Sequence, residues 1–116
     1  MARFRLRFLL QELDLIGPEV VIGRSPECQI TIEDPLVSRQ HARILISGDE
    51  ARVVDLGSRN GVRVNGNLIQ EETLLHDQDR VRLGTQDLVF LAVDEQAGGS
   101  LPKATGFMDK LRDLFD

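Results

Sequence analysis

Residues 20–66 read VVIGRSPECQITIEDPLVSRQHARILISGDEARVVDLGSRNGVRVNG, and the spacing of apolar runs and turn residues along this stretch decides the fold. Residues 20–22 are a short β-branched run stopped by Gly23, and Ile30-Thr31-Ile32 is another stopped by Asp34-Pro35. Residues 42–46 and 51–54 flank Ser47-Gly48-Asp49-Glu50, which has the turn chemistry of a hairpin. Residues 62–65 then lie between Asn60-Gly61 and Asn65-Gly66, pairs that can each supply the positive φ of a tight turn.

Outward from this stretch the pattern continues in both directions. Toward the N-terminus, Phe4, Leu6, Phe8 and Leu10 alternate with Arg3, Arg5 and Arg7, which predicts a half-buried strand over residues 3–10 before the Gly17-Pro18 turn. Toward the C-terminus, residues 81–83 and 88–93 are two more strands, separated by Gly84-Thr85-Gln86-Asp87. At least eight short strands with turn signals every ~8–12 residues, and no βαβ alternation, indicate an all-β sandwich or barrel.

The 116 residues, 41% of them hydrophobic, suit one small domain, and five Phe without Trp or Tyr leave the core to Val, Ile and Leu. The domain is expected to span residues 1–93. At Asp94 the texture changes to Glu95-Gln96-Ala97-Gly98-Gly99-Ser100, so residues 94–104 read as a flexible linker. In the final segment, residues 105–116, Phe107, Met108, Leu111, Leu114 and Phe115 share one helical face, with Asp109, Lys110, Arg112 and Asp113 opposite. A helix so short is marginal alone in water, so it either docks back on the sandwich, the simpler reading, or serves as a ligand for a partner.

A formal net charge of −5 argues against general nucleic-acid binding, which needs an excess of Lys and Arg. Yet the Lys and Arg positions before residue 94 are all Arg, with Lys103 and Lys110 beyond, and Arg is the side chain suited to bidentate phosphate contact. Cys28 is the single cysteine, which excludes an internal disulfide and a Cys-rich metal site and fits a reducing cytoplasm. The first residues read neither as a signal peptide nor as a membrane-spanning helix.

Three loops between predicted strands concentrate phosphate-binding chemistry: Gly23-Arg24-Ser25, Ser38-Arg39-Gln40-His41 and Gly57-Ser58-Arg59-Asn60-Gly61. Gly-Arg-Ser, then Ser-x-x-His about fourteen residues on, then Asp-Leu-Gly-Ser-x-Asn-Gly and a second Asn-Gly resembles the signature of forkhead-associated (FHA) domains, matched from about residue 20 to residue 84. The resemblance implies an eleven-stranded β-sandwich whose loops at one end bind phosphothreonine on an extended peptide, with no enzymatic activity, no cofactor and no metal. It implies that Arg24 pairs with the phosphate, Ser38 donates its hydroxyl, Arg39 adds a phosphate contact and Asn60 holds the peptide backbone. Ser58, Arg59 and Asn65 complete the implied peptide-binding set, with Gly23, His41 and Gly61 as its structural support. The implied partner is a phosphothreonine-containing protein, a Ser/Thr kinase or its substrate.

Two positions depart from the family pattern: Arg59 and Val62 stand where Thr is common. Leu36 occupies a place where some members use a charged side chain to choose the residue three after the phosphothreonine, so selection there is expected to be apolar. Asn65 also reads as a turn former and Asp55 as an acceptor for nearby amides. Leu75-His76-Asp77-Gln78-Asp79 reads as a polar turn, because side chains two apart rarely complete a metal shell.

Two other functions compete with phosphopeptide reading. Ser38, His41 and Asp55 supply the residue types of a hydrolase triad, but the Gly-x-Ser-x-Gly elbow is missing. The alternative within the fold is a scaffold that binds an unphosphorylated partner or self-associates through its tail; retention of both Arg24 and Ser38 argues for the phosphopeptide reader. Thr105 beside the apolar tail is a candidate phosphosite whose modified form would fit a second molecule's pocket, though a helix-capping role is the simpler expectation.

Overall fold

A computed structural model describes residues 2–94, which form eleven strands and, among the described residues, no helix. In chain order these are β1 Ala2–Phe8, β2 Gln11–Asp14, β3 Glu19–Gly23, β4 Ile30–Thr31, β5 Ala42–Ser47, β6 Glu50–Asp55, β7 Val62–Val64, β8 Asn67–Leu68, β9 Thr73–Leu75, β10 Arg80–Leu83 and β11 Gln86–Asp94. They build a six-stranded sheet, β2-β1-β11-β10-β7-β8, and a five-stranded sheet, β4-β3-β5-β6-β9. Every pairing is antiparallel except β3 with β4.

Alternation along the strands puts the core between the sheets. Phe4 and Leu6 of β1 face inward, and Phe90 of β11 stacks on Phe4 with ring centroids 5.4 Å apart. Ile22, Ile44 and Val53 answer from the second sheet, each fully buried. Burial of side chains of this size contributes ~1.5–3 kcal/mol apiece. On the outer face Arg5 and Arg7 pair with Glu12, and Arg5 also with Asp14, across the β1–β2 ladder.

Strand β1 is shorter than its period-two pattern predicts. It ends at Phe8, which pairs with Gln11, and Leu9-Leu10 forms the hairpin loop with Leu9 at φ 59°. A turn of two leucines carries no Gly, Asn or Pro signal, so the alternation runs on through it. Asn65 likewise leaves the predicted strand: Asn65-Gly66, at φ 53° and 87°, is the two-residue loop between the paired Val64 and Asn67. β2, β8 and β9 are additional strands.

The arrangement delivers three long loops to one end of the sandwich, β3–β4, β4–β5 and β6–β7. The β10–β11 turn meets them there. Gly84, at φ 61°, sits so close that a Cβ would lie 2.9 Å from Val37, and the buried Asp34 accepts from the amides of Leu36 (2.9 Å) and Thr85 (3.0 Å) and from the Thr85 hydroxyl. These bonds, the Thr85 hydroxyl's first, hold the Asp34 pKa down at about 2. Asp34 thereby ties the β4–β5 loop to the opposite sheet.

Among the described residues no helix is long and apolar enough to cross a membrane. Asp94 closes β11, while the remaining linker residues, the C-terminal helix at 105–116 and Thr105 lie outside the described residues.

Candidate phosphate-binding cleft

Gly23 makes the site possible. It ends β3 where a Cβ would stand only 2.1 Å from the Arg39 carbonyl oxygen, so the two loops approach closely only because position 23 has no side chain. That approach lets the Arg24 amide donate to the Ser38 carbonyl (2.9 Å) and the Ser25 amide to the Arg39 carbonyl (3.1 Å). The Cys28 thiol also donates to the Arg39 carbonyl, at 3.1 Å, and burial pushes its pKa up, which favours the protonated donor. The β3–β4 loop is thus laced to one side of the β4–β5 loop.

The β6–β7 loop is laced to the other side. The Arg59 amide donates to the Ser38 Oγ at 3.0 Å, and the Asn60 Nδ2 donates to the Leu36 carbonyl at 2.8 Å. Beneath them lies His41, fully buried. Its Nδ1 accepts from the Ser38 amide at 3.0 Å, which leaves the ring proton on Nε2 to bond the Gly61 carbonyl at 2.8 Å. Gly61 adopts φ 79°, and its amide donates to the Ser58 Oγ at 2.9 Å, while Asp55 accepts from the Ser58 amide at 2.9 Å.

Between the loops is an open cleft of about 910 Å³ whose lining includes Arg24, Ser38, Arg39, Arg59 and Asn60. Five of the residues expected at the site therefore come together from three loops. Gly23, His41 and Gly61 lie under them as struts. Ser58 does not line the cleft; its hydroxyl is turned into its own loop to cap Gly61. Asn65 is not brought there either. It stands at the far end of β7, ~10 Å of strand from Val62, where its amide donates to Asp79 (2.9 Å) and accepts from the Arg80 amide (3.0 Å).

Among the described residues the cleft gathers three arginines without a carboxylate partner; Arg63 and Arg80, on the neighbouring strands β7 and β10, share that state outside it. Arg3, Arg5, Arg7, Arg43, Arg52 and Arg82 all pair with carboxylates. Arg24, Arg39 and Arg59 have no carboxylate partner among the described residues. Arg24 is instead oriented by a bond from Nε to the Val37 carbonyl at 3.0 Å, leaving its two terminal nitrogens for a ligand. The Ser38 Oγ, accepting from Arg59, still has its own proton to give. A forked cation and a hydroxyl donor side by side can grip a tetrahedral oxyanion.

The same bonds argue against hydrolysis. Both His41 ring nitrogens are engaged with backbone groups, so the imidazole cannot take the Ser38 hydroxyl proton, and Asp55 faces Ser58 rather than His41. At the His76 segment, Asp79 accepts from the His76 amide at 2.8 Å and Gln78 adopts φ 74°, a polar turn. Among the described residues no cluster of three metal-ligating side chains occurs.

Sequence reasoning missed Glu27 and Gln40, which also line the cleft, and Asp34, its anchor. Asp34-Pro35 carries only the signal of a strand stop, and the contact with Thr85 spans 51 positions, beyond any local pattern.

Comparison with known proteins agrees with this geometry. The chain is 40% identical over 85 residues to the glycogen accumulation regulator GarA of Mycolicibacterium smegmatis, covering 73% of this chain and 50% of that protein. It is 40% identical over 86 residues to the oxoglutarate dehydrogenase inhibitor of Corynebacterium glutamicum, covering 74% of this chain and 56% of the relative. The chain thus spans about half the length of these relatives. Among solved structures, an FHA domain from Chlamydia trachomatis superposes with a TM-score of 0.73 at 33% identity, over 77% of this chain and 96% of that one. Mycobacterium tuberculosis EmbR, solved with a low-affinity phosphopeptide, superposes with a TM-score of 0.74 at 28% identity, over 77% of this chain and 24% of that one. The model of the FHA domain matches residues 20–84, the span that contains every loop of the cleft, and the chain belongs to the FHA family.

Proposed function

We propose that the protein is a phosphothreonine-peptide-binding adaptor in Ser/Thr-kinase signalling and performs no chemistry of its own. The observation that carries this reading is the convergence of Arg24, Ser38 and Arg39 on one cleft, with the three cleft arginines free of carboxylate partners among the described residues. Arg24 holds the phosphate through its terminal nitrogens, Ser38 donates its hydroxyl, and Arg39 follows on the same loop. Charge-assisted bonds worth ~1.5–3 kcal/mol each, set against the costs of association, yield micromolar-class binding.

Asn60 spends one N–H on the Leu36 carbonyl, which fixes the amide plane and leaves its oxygen and second N–H for the peptide backbone. Leu36, 46% exposed on the cleft wall, offers an apolar contact to a peptide side chain. The partner is a phosphothreonine-bearing kinase or kinase substrate. Nucleic acid is disfavoured by the net charge of −5, which leaves only this local concentration of Arg to meet phosphate.

The test is fluorescence polarisation with a degenerate phosphothreonine peptide library, run beside phosphoserine and unphosphorylated versions. Saturable binding to phosphothreonine alone, lost in Arg24→Ala and Ser38→Ala, is expected. Asn65→Ala should lower the unfolding free energy by about 1–2 kcal/mol through its lost bonds to Asp79 and Arg80, read as an earlier denaturation midpoint, without changing the affinity of the folded protein. No binding to any peptide would turn the assignment to a scaffold that holds an unphosphorylated partner.

A further inference from the structure

We propose that Arg59 forms a second anion subsite beside the phosphothreonine, so that the protein selects peptides carrying an acidic or second phosphorylated side chain within about two residues of it. This rests on the cleft being a phosphothreonine site and names the class of peptide it reads.

The first support is placement. The Arg59 amide is bonded to the Ser38 Oγ at 3.0 Å, so the residue is fixed against the hydroxyl that faces the phosphate, and its exposed side chain lines the same cleft. The second is availability. Arg24 is oriented by Val37 and Arg39 sits on the Ser38 loop, so the phosphate has two cations without Arg59, which has no carboxylate partner among the described residues.

The third is polarity. The β4–β5 loop lies in the middle, bonded to the β3–β4 loop on one side and to the β6–β7 loop on the other. Glu27, also lining the cleft, belongs to the β3–β4 wall, and Arg59 belongs to the β6–β7 wall. Arg24 shares the first wall but is taken up by the phosphate itself, so a further anion beside the phosphothreonine meets Glu27 on that side and the unpaired Arg59 on the other. An extended peptide advances ~3.3 Å per residue, so a charge two residues away stays within the ~8 Å screening length of physiological salt.

The experiment is a binding titration of the full chain against one phosphothreonine peptide in which Asp, Lys or a second phosphothreonine replaces Ala at each position from three before to three after. Asp at one flanking position should tighten binding roughly three- to tenfold over Ala, with the second phosphothreonine at least as effective. Arg59→Ala should flatten that preference, read as the ratio of Asp-flanked to Ala-flanked affinity within the variant so that any general loss of binding cancels, and Arg59→Glu should turn it toward Lys. Because the Arg59 amide and not its side chain makes the bond to Ser38, these variants retain the loop's backbone bonds. Tight phosphothreonine binding with a flat Asp scan, or a preference that survives Arg59→Ala, overturns this inference alone. Failure to bind any phosphothreonine peptide overturns the underlying reading as well.

Discussion

The Gly23→Ala substitution would put a methyl carbon 2.1 Å from the Arg39 carbonyl oxygen and 2.7 Å from its carbon. Neither atom can swing aside as a side chain would, since the same carbonyl accepts from Ser25 and Cys28. The backbone of one loop must therefore move. Overpacking against a backbone costs ~2–3 kcal/mol or more, read as a lowered denaturant midpoint at unchanged slope. Affinity should fall further than stability alone explains, because one of the two loops carries Arg24 and the other carries Ser38 and Arg39. A Gly23→Ala protein with wild-type affinity would mean that the lacing of these loops is irrelevant to the pocket. His41 acts by the same logic from beneath. Replacing it with Phe would strand the Ser38 amide and the Gly61 carbonyl, two backbone groups now satisfied by one ring.

At the scale of elements, the β4–β5 loop depends on a turn from the opposite sheet. Asp34 holds that junction with its charge, accepting from the Leu36 and Thr85 amides, and its pKa is depressed from 3.8 to about 2. A carboxylate whose folded pKa is depressed contributes stability that is complete above its unfolded value and lost as pH falls toward the folded one. The melting temperature should thus drop between about pH 4 and pH 2 in the native chain. Asp34→Asn, whose amide cannot accept in all these bonds, should start lower and change less across that window; parallel curves for the two proteins would remove Asp34 from the account. This junction also marks what the chain's local pattern hides. Strands with period-two alternation or turn signals, such as β3, β5, β6 and β11, were legible from residue types alone. β8 and β9 were not, because Asn67-Leu68 and Thr73-Leu74-Leu75 lack the Ile or Val runs that marked the equally short β4 and β7, and β2 was masked by a Leu9-Leu10 turn. The cleft's chemistry was legible because its motifs are local. The uses of Ser58 and Asn65 were not, since each side chain's direction is set by a partner: Gly61 for one, Asp79 and Arg80 for the other.

The whole molecule carries a net charge of −5, yet its cleft gathers Arg24, Arg39 and Arg59 against Glu27. A phosphopeptide thus meets a repulsive body and a locally attractive site, and the balance depends on the charge of the phosphate itself. The second phosphate ionisation lies at about pH 6, so below it the ligand loses roughly one of its two charges while the cleft arginines keep theirs. Affinity should fall about three- to tenfold between about pH 7.5 and pH 5, since monoanion and dianion differ in the strength of each charge-assisted bond. The fold should be intact across that range, because the Asp34 junction yields only toward pH 2. Isothermal titration at the two pH values, with melting curves on the same samples, separates the effects. If the phosphopeptide's affinity is flat between these pH values while the melting curves coincide, the dianion is not what the cleft reads, and the Arg24 and Ser38 assignment falls with it.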